Sequence, residues 1–415
     1  MTDFASVVDQ MDAIRRDTVE IVPETELART LEASRRAGRP LCIKQGFDPT
    51  WPDLHIGHAV SIRKLRTFQE LGHDVVFVVG DYTARIGDPT GRSETRPRMS
   101  PAEIEANART YADQVSRLLD VTKVRVEYNS RWLAPLDLAA ILELAATYTV
   151  ARMLERDDFA KRYADRQPIS VSEFLYPLMQ AYDSVALRAD VELGGTDQMF
   201  NLLAARTVQE RYGQEPQVCV IMPLLRGTDG VQKMSKSYDN YIGITERAEE
   251  QYGKTMSIPD ALLGEWYRLA AALPEPALAG ALERVETDPY GAKRALAHRV
   301  VEVYHGEDAA RAAASHFDRV FRERAAPDAL PETRVSLTDP AVRYSQERGV
   351  WVPGLLVKVG LAPSNSEAQR LLEQGAISAD GERLHGRDAT LAVTPGDRLV
   401  LRRGKRHFAN VMFQS

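Results

Sequence analysis

Two rhythms of apolar and polar positions alternate along the chain as far as Gly80. ELARTLEASRRAGRP, 26–40, sets apolar residues at helical spacing and stops on Gly38 and Pro40, which predicts a helix ended by its breakers. LCIKQGF, 41–47, predicts a short strand, and DPTWPD after it a turn with two prolines. From about His55 to Leu71 the apolar positions Ile62, Leu65, Phe68 and Leu71 recur at helical spacing and Gly72 follows, predicting a second helix. VVFVVG, 75–80, is a continuous apolar run, the pattern of a strand buried on both faces of a parallel sheet. Strand, helix, strand in that order requires a right-handed crossover. The expected fold class is therefore α/β, a Rossmann-type doubly wound parallel sheet.

Further along, helical patterns fill 101–119 and 136–155, and VCVIMPLL, 218–225, predicts another buried strand. From Thr245 to about Arg324 an Ala- and Leu-rich helical pattern, broken at SIPD, LPEP and TDPYG, reads as a separate α-helical domain. AAPDALPETRVSLTDP, 325–340, has three prolines and little periodicity, so it reads as linker. From Trp351 to Ser415 the chain reads as a small α+β unit. It has a short helix at PGLLVKVGLAP, then a capping box of Ser364 and Glu367 opening another. A hairpin on Asp380-Gly381 follows, and then a strand running into basic residues.

Composition narrows the class. Hydrophobic content of 44% and charged content of 27% suit a soluble globular protein, and no apolar run approaches the ~18 residues of a membrane span. The N-terminal stretch MTDFASVVDQMDAIRRDTVE lacks the apolar centre of a signal peptide. Cys42 and Cys219 are too few for a disulfide framework or a zinc site, which suggests a reducing, cytoplasmic setting. The net charge of −6 argues against indiscriminate nucleic-acid binding, but it is unevenly spread. Trp351 to Ser415 holds nine Lys+Arg and six Asp+Glu, +3, against −9 for the rest. A basic tail on an acidic body suggests a nucleic-acid contact at that end.

Chemistry concentrates in a few places. In PDLHIGHAV, His55 and His58 sit on one face at the start of a helix that follows a buried strand. Free N–H groups and a positive partial charge there suit phosphates, and Gly57 lets a ligand approach the backbone. The other six histidines are scattered, so no metal set is expected. In KMSKS, 233–237, Lys233 and Lys236 lie between RGTDG and YDN, a Gly-flanked segment expected to be mobile. Two ammonium groups on such a loop can close over a pyrophosphate. In YPLMQAYD, the spacing i, i+4, i+7 places Tyr176, Gln180 and Asp183 on one helix face, able to hold an amino acid by its ammonium and its hydroxyl. Pro177 must start or kink that helix. RIGDPTGRSETR, 85–96, is not a Walker loop: Gly87 to Gly91 is one residue short and Arg92 stands for the lysine.

His-Ile-Gly-His early and Lys-Met-Ser-Lys-Ser late together resemble the signature of class I aminoacyl-tRNA synthetases. GFDPTWPDLHIGH and GGTDQMFN look like the tyrosyl and tryptophanyl branch, and the YxxxQxxD form of YPLMQAYD is similar to the tyrosyl pattern. LLVKVGLAPSNSEAQRLLEQGAISADG resembles the small RNA-binding domain named after ribosomal protein S-four.

The resemblance implies a catalytic domain at 1–244 with an insertion at about 125–175, a helical domain at 245–324, a linker at 325–349 and the RNA-binding domain at 350–415. It implies activation of L-tyrosine with ATP and transfer to tRNA(Tyr), with Mg²⁺ on the ATP phosphates, by a homodimer. His55, His58, Lys233 and Lys236 are implied as catalytic. Asp48, Thr50, Gly57, Arg92, Arg96, Gly195, Asp197 and Lys236 are implied for ATP; Lys44, Asp88, Tyr176, Gln180, Asp183 and Gln198 for tyrosine; Arg402, Arg403, Lys405 and Arg406 for tRNA. Many relatives carry tyrosine where Lys44 stands, which leaves Asp183 as the main partner of the phenol. A tryptophan-specific synthetase and a non-catalytic RNA-binding relative are the alternatives. Gln180 and Asp183 disfavour the first, and the intact histidine and lysine motifs disfavour the second.

Overall fold

Strands rich in Val and Ile build the central sheet: β1 (Glu20–Val22), β2 (Cys42–Phe47), β3 (Asp74–Val79), β4 (Val124–Tyr128), β5 (Val191–Gly195) and β6 (Val218–Met222). This computed structural model describes residues 4–90, 99–322, 332–404 and 407–415. The order is β1-β6-β5-β2-β3-β4, parallel throughout except for β1, which pairs antiparallel with β6. From β2 the chain winds outward through β3 and β4, then returns to build β5 and β6 on the other side. The crevice beyond the carboxyl ends of β2 and β5, where the winding reverses, is where such sheets take ligands.

Three helices frame that crevice: α1 (Ile56–Glu70), α2 (Val171–Leu187) and α3 (Met199–Arg211). Helix α1 buries Ile56, Ala59, Ile62, Leu65 and Phe68 in the main core and ends before Gly72, whose φ of 89° a side chain would strain. Helix α2 starts on a capping box, with Ser170 N–H donating to Glu173 Oε1 at 2.8 Å. Glu173 is also gripped by the Arg162 guanidinium at 2.6 and 3.1 Å, both residues being buried. Pro177, expected to start or kink this helix, does not start it but lies inside it.

The chain divides into two compact units, 1–306 and 307–415, which differs from the expected plan in three places. Helices between Ala248 and His305 bury Leu263, Trp266, Leu296 and Val300 in the same hydrophobic cluster as α1 and the sheet, so no separate core begins at 245. The expected insertion at 125–175 opens on β4, which pairs with β3 as the sheet's edge; its short helices then pack on α2 and α3 through Leu144 and Met153. Of the expected linker 325–349, residues Glu332–Ser336 form β7, paired parallel with a strand at the chain's end.

In the second unit β8 (Val350–Trp351) pairs with β11 (Thr390–Leu391). The larger sheet has the order β10-β9-β12-β13-β7, from β9 (Ile377–Ala379), β10 (Glu382–Leu384), β12 (Arg398–Arg403) and β13 (His407–Gln414). Asp380 and Gly381 at φ 47° and 89° make the expected tight β9–β10 turn, and Ser364 Oγ accepts from Glu367 N–H at the start of the helix Asn365–Glu373.

Candidate active site

Backbone pairing brings together two motif loops that lie far apart in the sequence. Ile56 N–H donates to the Ile242 carbonyl at 2.9 Å and Ile244 N–H to the Leu54 carbonyl at 3.0 Å, so the start of α1 is stitched to the segment just after Lys236. Gly57 N–H points at Met234 Sδ, 3.3 Å away, a weak acceptor that a phosphate oxygen can replace. A Cβ on Gly57 would sit 3.0 Å from the His55 ring, which is why this position suits glycine.

His55 occupies the N-cap of α1, and its ring stacks on that of His58 with centroids 3.6 Å apart. Burial, aided by Lys236 and Lys233, pushes His58 down to about 3. Burial also pushes His55 well below the ordinary imidazole range, and its neighbours His58, Lys236 and Lys233 add to the effect. Both rings are therefore neutral at pH 7, free to donate and accept hydrogen bonds without carrying charge. His55 Nδ1 is buried without a protein partner.

The lysine loop is held by its own contacts in this conformation. Met234 N–H donates to the Leu225 carbonyl at 2.8 Å, Ser235 N–H to Asn240 Oδ1 at 2.8 Å, and Asn240 Nδ2 to the Lys233 carbonyl at 3.1 Å. Lys233 pairs with Asp197 at 2.5 Å. Lys236 donates to the Asp53 carbonyl, and burial lowers it to about 8, against the pull of Asp53.

At the other end of the same cleft lie Tyr176, Gln180 and Asp183 of α2. Tyr176 Oη donates to Asp48 Oδ2 at 2.8 Å, and Thr83 Oγ1 to Asp48 Oδ1 at 2.7 Å. Asn129 Nδ2 lies 3.0 Å from Thr83 Oγ1 and 3.4 Å from Asp183 Oδ2, so one chain of polar groups joins Asp48 to Asp183. Trp132 Nε1 donates to Asp183 Oδ1 at 2.8 Å. Burial pushes Asp183 up to about 7, opposed by Lys44, Trp132 and Asn129. Asp88 stands between the two ends. It accepts from Gln198 Nε2 at 2.7 Å, Thr90 N–H at 2.9 Å and Arg156 at 3.1 Å; burial raises its carboxyl, but these partners hold it below the usual range. Thr50, Gly195 and Asp197 also line the cleft.

Comparison with known proteins gives the family of the chain. The model of class I tRNA synthetases (W and Y) matches residues 36–322, and that of the Tyrosine--tRNA ligase SYY-like C-terminal domain matches 338–411. The Tyrosine--tRNA ligase of Moorella thermoacetica is 52% identical over 408 residues, covering 98% of this chain and 96% of the relative. That of Geobacter sulfurreducens is 50% identical over 411 residues, covering 98% and 100%. The chain belongs to the tyrosine–tRNA ligase family of class I synthetases. Solved structures agree in fold. A C-terminally truncated mitochondrial tyrosyl-tRNA synthetase of Aspergillus nidulans superposes with a TM-score of 0.62 at 24% identity, covering 76% of this chain and 94% of that one. The Archaeoglobus fulgidus tyrosyl-tRNA synthetase complexed with L-tyrosine gives 0.60 at 23%, covering 74% and 100%. With full-length relatives that are tyrosine–tRNA ligases, the tryptophan alternative falls away.

For a tyrosine–tRNA ligase, the main correction concerns Lys44. Expected to touch the amino acid, it is 1% exposed and salt-bridged to Glu192 Oε1 at 3.0 Å, behind the cleft wall. Successive strand residues face opposite sides, so Gln45 lines the cleft and Lys44 does not. Arg92, Arg96, Lys405 and Arg406 lie outside the described residues. Arg402 donates to the Gly404 carbonyl at 2.7 Å, and Arg403 is turned to the Leu361 carbonyl at 2.9 Å.

Sequence reasoning missed Asn129, Trp132, Arg156 and Glu192. Asn129 lines the cleft, and the other three bond to residues that do: Trp132 to Asp183, Arg156 to Asp88 and Glu192 to Gln180. Only Glu192, a charge inside an otherwise apolar strand, left a signal that could have been read.

Proposed function

We propose that the cleft aligns the tyrosine carboxylate with the α-phosphate of ATP and stabilises the charge that develops on the phosphates, and that the adenylate then acylates the terminal ribose of tRNA(Tyr). The observation that carries this reading is that His55, His58 and Lys233 line the same cavity as Asp183 and Tyr176, with Lys236 close enough for its charge to act on both imidazoles. Such a reaction needs no nucleophilic side chain, because the substrate carboxylate is already ionised; it needs positioning and charge stabilisation. Tyr176, Gln180 and Asp88 receive the ammonium. Asp183 accepts the phenolic hydroxyl. Asp197 and Gly195 take the ribose, with Asp48, Thr50 and Gly57 near the nucleotide. The neutral imidazoles hydrogen-bond phosphate oxygens, and the lysines leave Asp197 and Asp53 to meet the pyrophosphate.

Mg²⁺ belongs to the ATP phosphates in this reading. Asp48 and Asp88 are each engaged by protein donors, so the ion would be held mainly by phosphate oxygens and water. The second unit grips tRNA through its basic strand end. Leu138 and Leu142, one turn apart and 72% and 61% exposed, offer an apolar face for a homodimer, testable by sedimentation. A cytoplasmic location goes with two free cysteines. Pyrophosphate exchange with tyrosine, tryptophan and phenylalanine tests the whole reading: tyrosine alone should support it, and exchange driven equally by all three would overturn it.

A further inference from the structure

Strands β2 and β5 lie in the middle of the sheet, each carries one charge, and the two charges are register partners: Lys44 lies directly opposite Glu192. Both are 1% exposed. An ion pair buried in a sheet adds little stability over an apolar pair of the same size, so its presence points elsewhere. Its contacts say where. Lys44 Nζ donates to the Gln180 carbonyl at 3.3 Å, and Gln180 Nε2 donates to Glu192 Oε1 at 3.1 Å. Glu192 Oε2 accepts from Ser184 Oγ at 3.3 Å and from Gln217 Nε2. The pair thus grips α2 at Gln180 and Ser184, on either side of Asp183 in the chain, without entering the cleft.

We propose that the buried Lys44–Glu192 pair is the specificity-setting support of the tyrosine pocket, holding Gln180 and Ser184 on either side of Asp183 and setting the charge behind it, so that Asp183 accepts the substrate hydroxyl. This rests on the reading of the cleft as tyrosine-activating. The groups facing Asp183 are few. Lys44 comes from β2 and Glu192 from β5; Asn129 and Trp132 come from the segment after β4; Tyr176 shares its helix, and Asp48 connects through Thr83 and Asn129. Lys44 is the cation among them, and its field lowers the Asp183 carboxyl while Glu192 raises it. Burial has already raised Asp183 to about 7, so the smaller effect of the pair is enough to tip its charge near neutral pH. A protonated Asp183 no longer accepts the phenol proton, and it tolerates phenylalanine better than a carboxylate left without a donor.

Lys44 and Glu192 are positioning residues, and their test is a pH profile. The full chain is assayed by pyrophosphate exchange, and the tyrosine-to-phenylalanine ratio of kcat/KM is followed from about pH 5.5 to about pH 9. The ratio cancels limbs common to both amino acids, such as those from His55 and His58. In the parent it should fall as acid protonates Asp183. The charge-neutral double variant K44M/E192Q leaves no unpaired buried charge, and its limb should move up by about one pH unit. E192Q alone leaves Lys44 uncompensated, and its limb should move down by a similar amount. Shifts in opposite directions cannot come from loosened packing. A limb in the double variant at the parent's pH overturns the proposal, whatever the single variant does. Absence of tyrosine-dependent exchange in the parent overturns the activating role first, before any variant is made.

Discussion

Replacing His58 with Asn should make the unliganded protein more acid-tolerant while destroying its activity. The imidazole titrates at about 6.5 in an unfolded chain and at about 3 in this cleft. A depressed pKa means that the unfolded chain binds the proton first. The stability that this creates is complete above about pH 6.5 and is lost as the pH falls from there toward 3. Between about pH 8 and about pH 5 the loss integrates to about 1.5 pH units at about 1.36 kcal/mol each, or about 2 kcal/mol. His58 keeps part of its surface on the cleft, where water screens the charge, which brings the figure to roughly 1–2 kcal/mol. Asn has nothing to protonate, so this contribution disappears from the variant. The assay is urea unfolding of the full chain at the two pH values, following the transition of the first unit. The parent should lose more stability on acidification than His58→Asn, by that margin. Equal losses would refute the argument, because they would mean that His58 is as easily protonated folded as unfolded. Pyrophosphate exchange on the same variant should fall while tyrosine affinity holds, as expected of a group that acts on the phosphates.

Three further outcomes follow from the geometry. Asp183→Asn should lower tyrosine activation far more than phenylalanine activation. It should also stabilise the unliganded chain at about pH 8, because a raised carboxyl contributes stability that is present below about pH 4 and lost as the pH rises through about 7; exchange assays and thermal unfolding check the two halves. Lys236→Ala should slow adenylate formation by about 10²-fold with little change in tyrosine affinity, read in single-turnover experiments; a variant impaired only in tRNA binding would place the loop wrongly. A chain ending at Gly306 should still exchange pyrophosphate, since the first unit holds the whole cleft, but should charge tRNA poorly, and the parent's charging should weaken steeply with salt.

Much of this protein is decided by neighbours in sequence. The runs 41–47, 75–80 and 218–225 became strands, the helix from His55 became α1, and the Asp-Gly turn and the Ser364 cap formed as read, because periodicity, capping and turn chemistry act over a few residues. The motif residues were legible for the same reason: His55 and His58, or Tyr176, Gln180 and Asp183, share a face by helical spacing alone. Edge and interrupted strands were not legible. VELGG carries a charge and two glycines, and VRVEY is an edge strand only partly buried, so neither shows the apolar run of a central strand. Tertiary structure alone decided which residues of β2 line the cleft. Lys44, implied as a ligand by the family resemblance, is instead buried in an ion pair because Glu192, from a strand distant in the chain, lies in register beside it. The same holds for Asn129, Trp132 and Arg156, and for the helices after Ala248, which join the sheet's own core. Burial and long-range pairing depend on the whole chain closing on itself, and no local pattern carries that information.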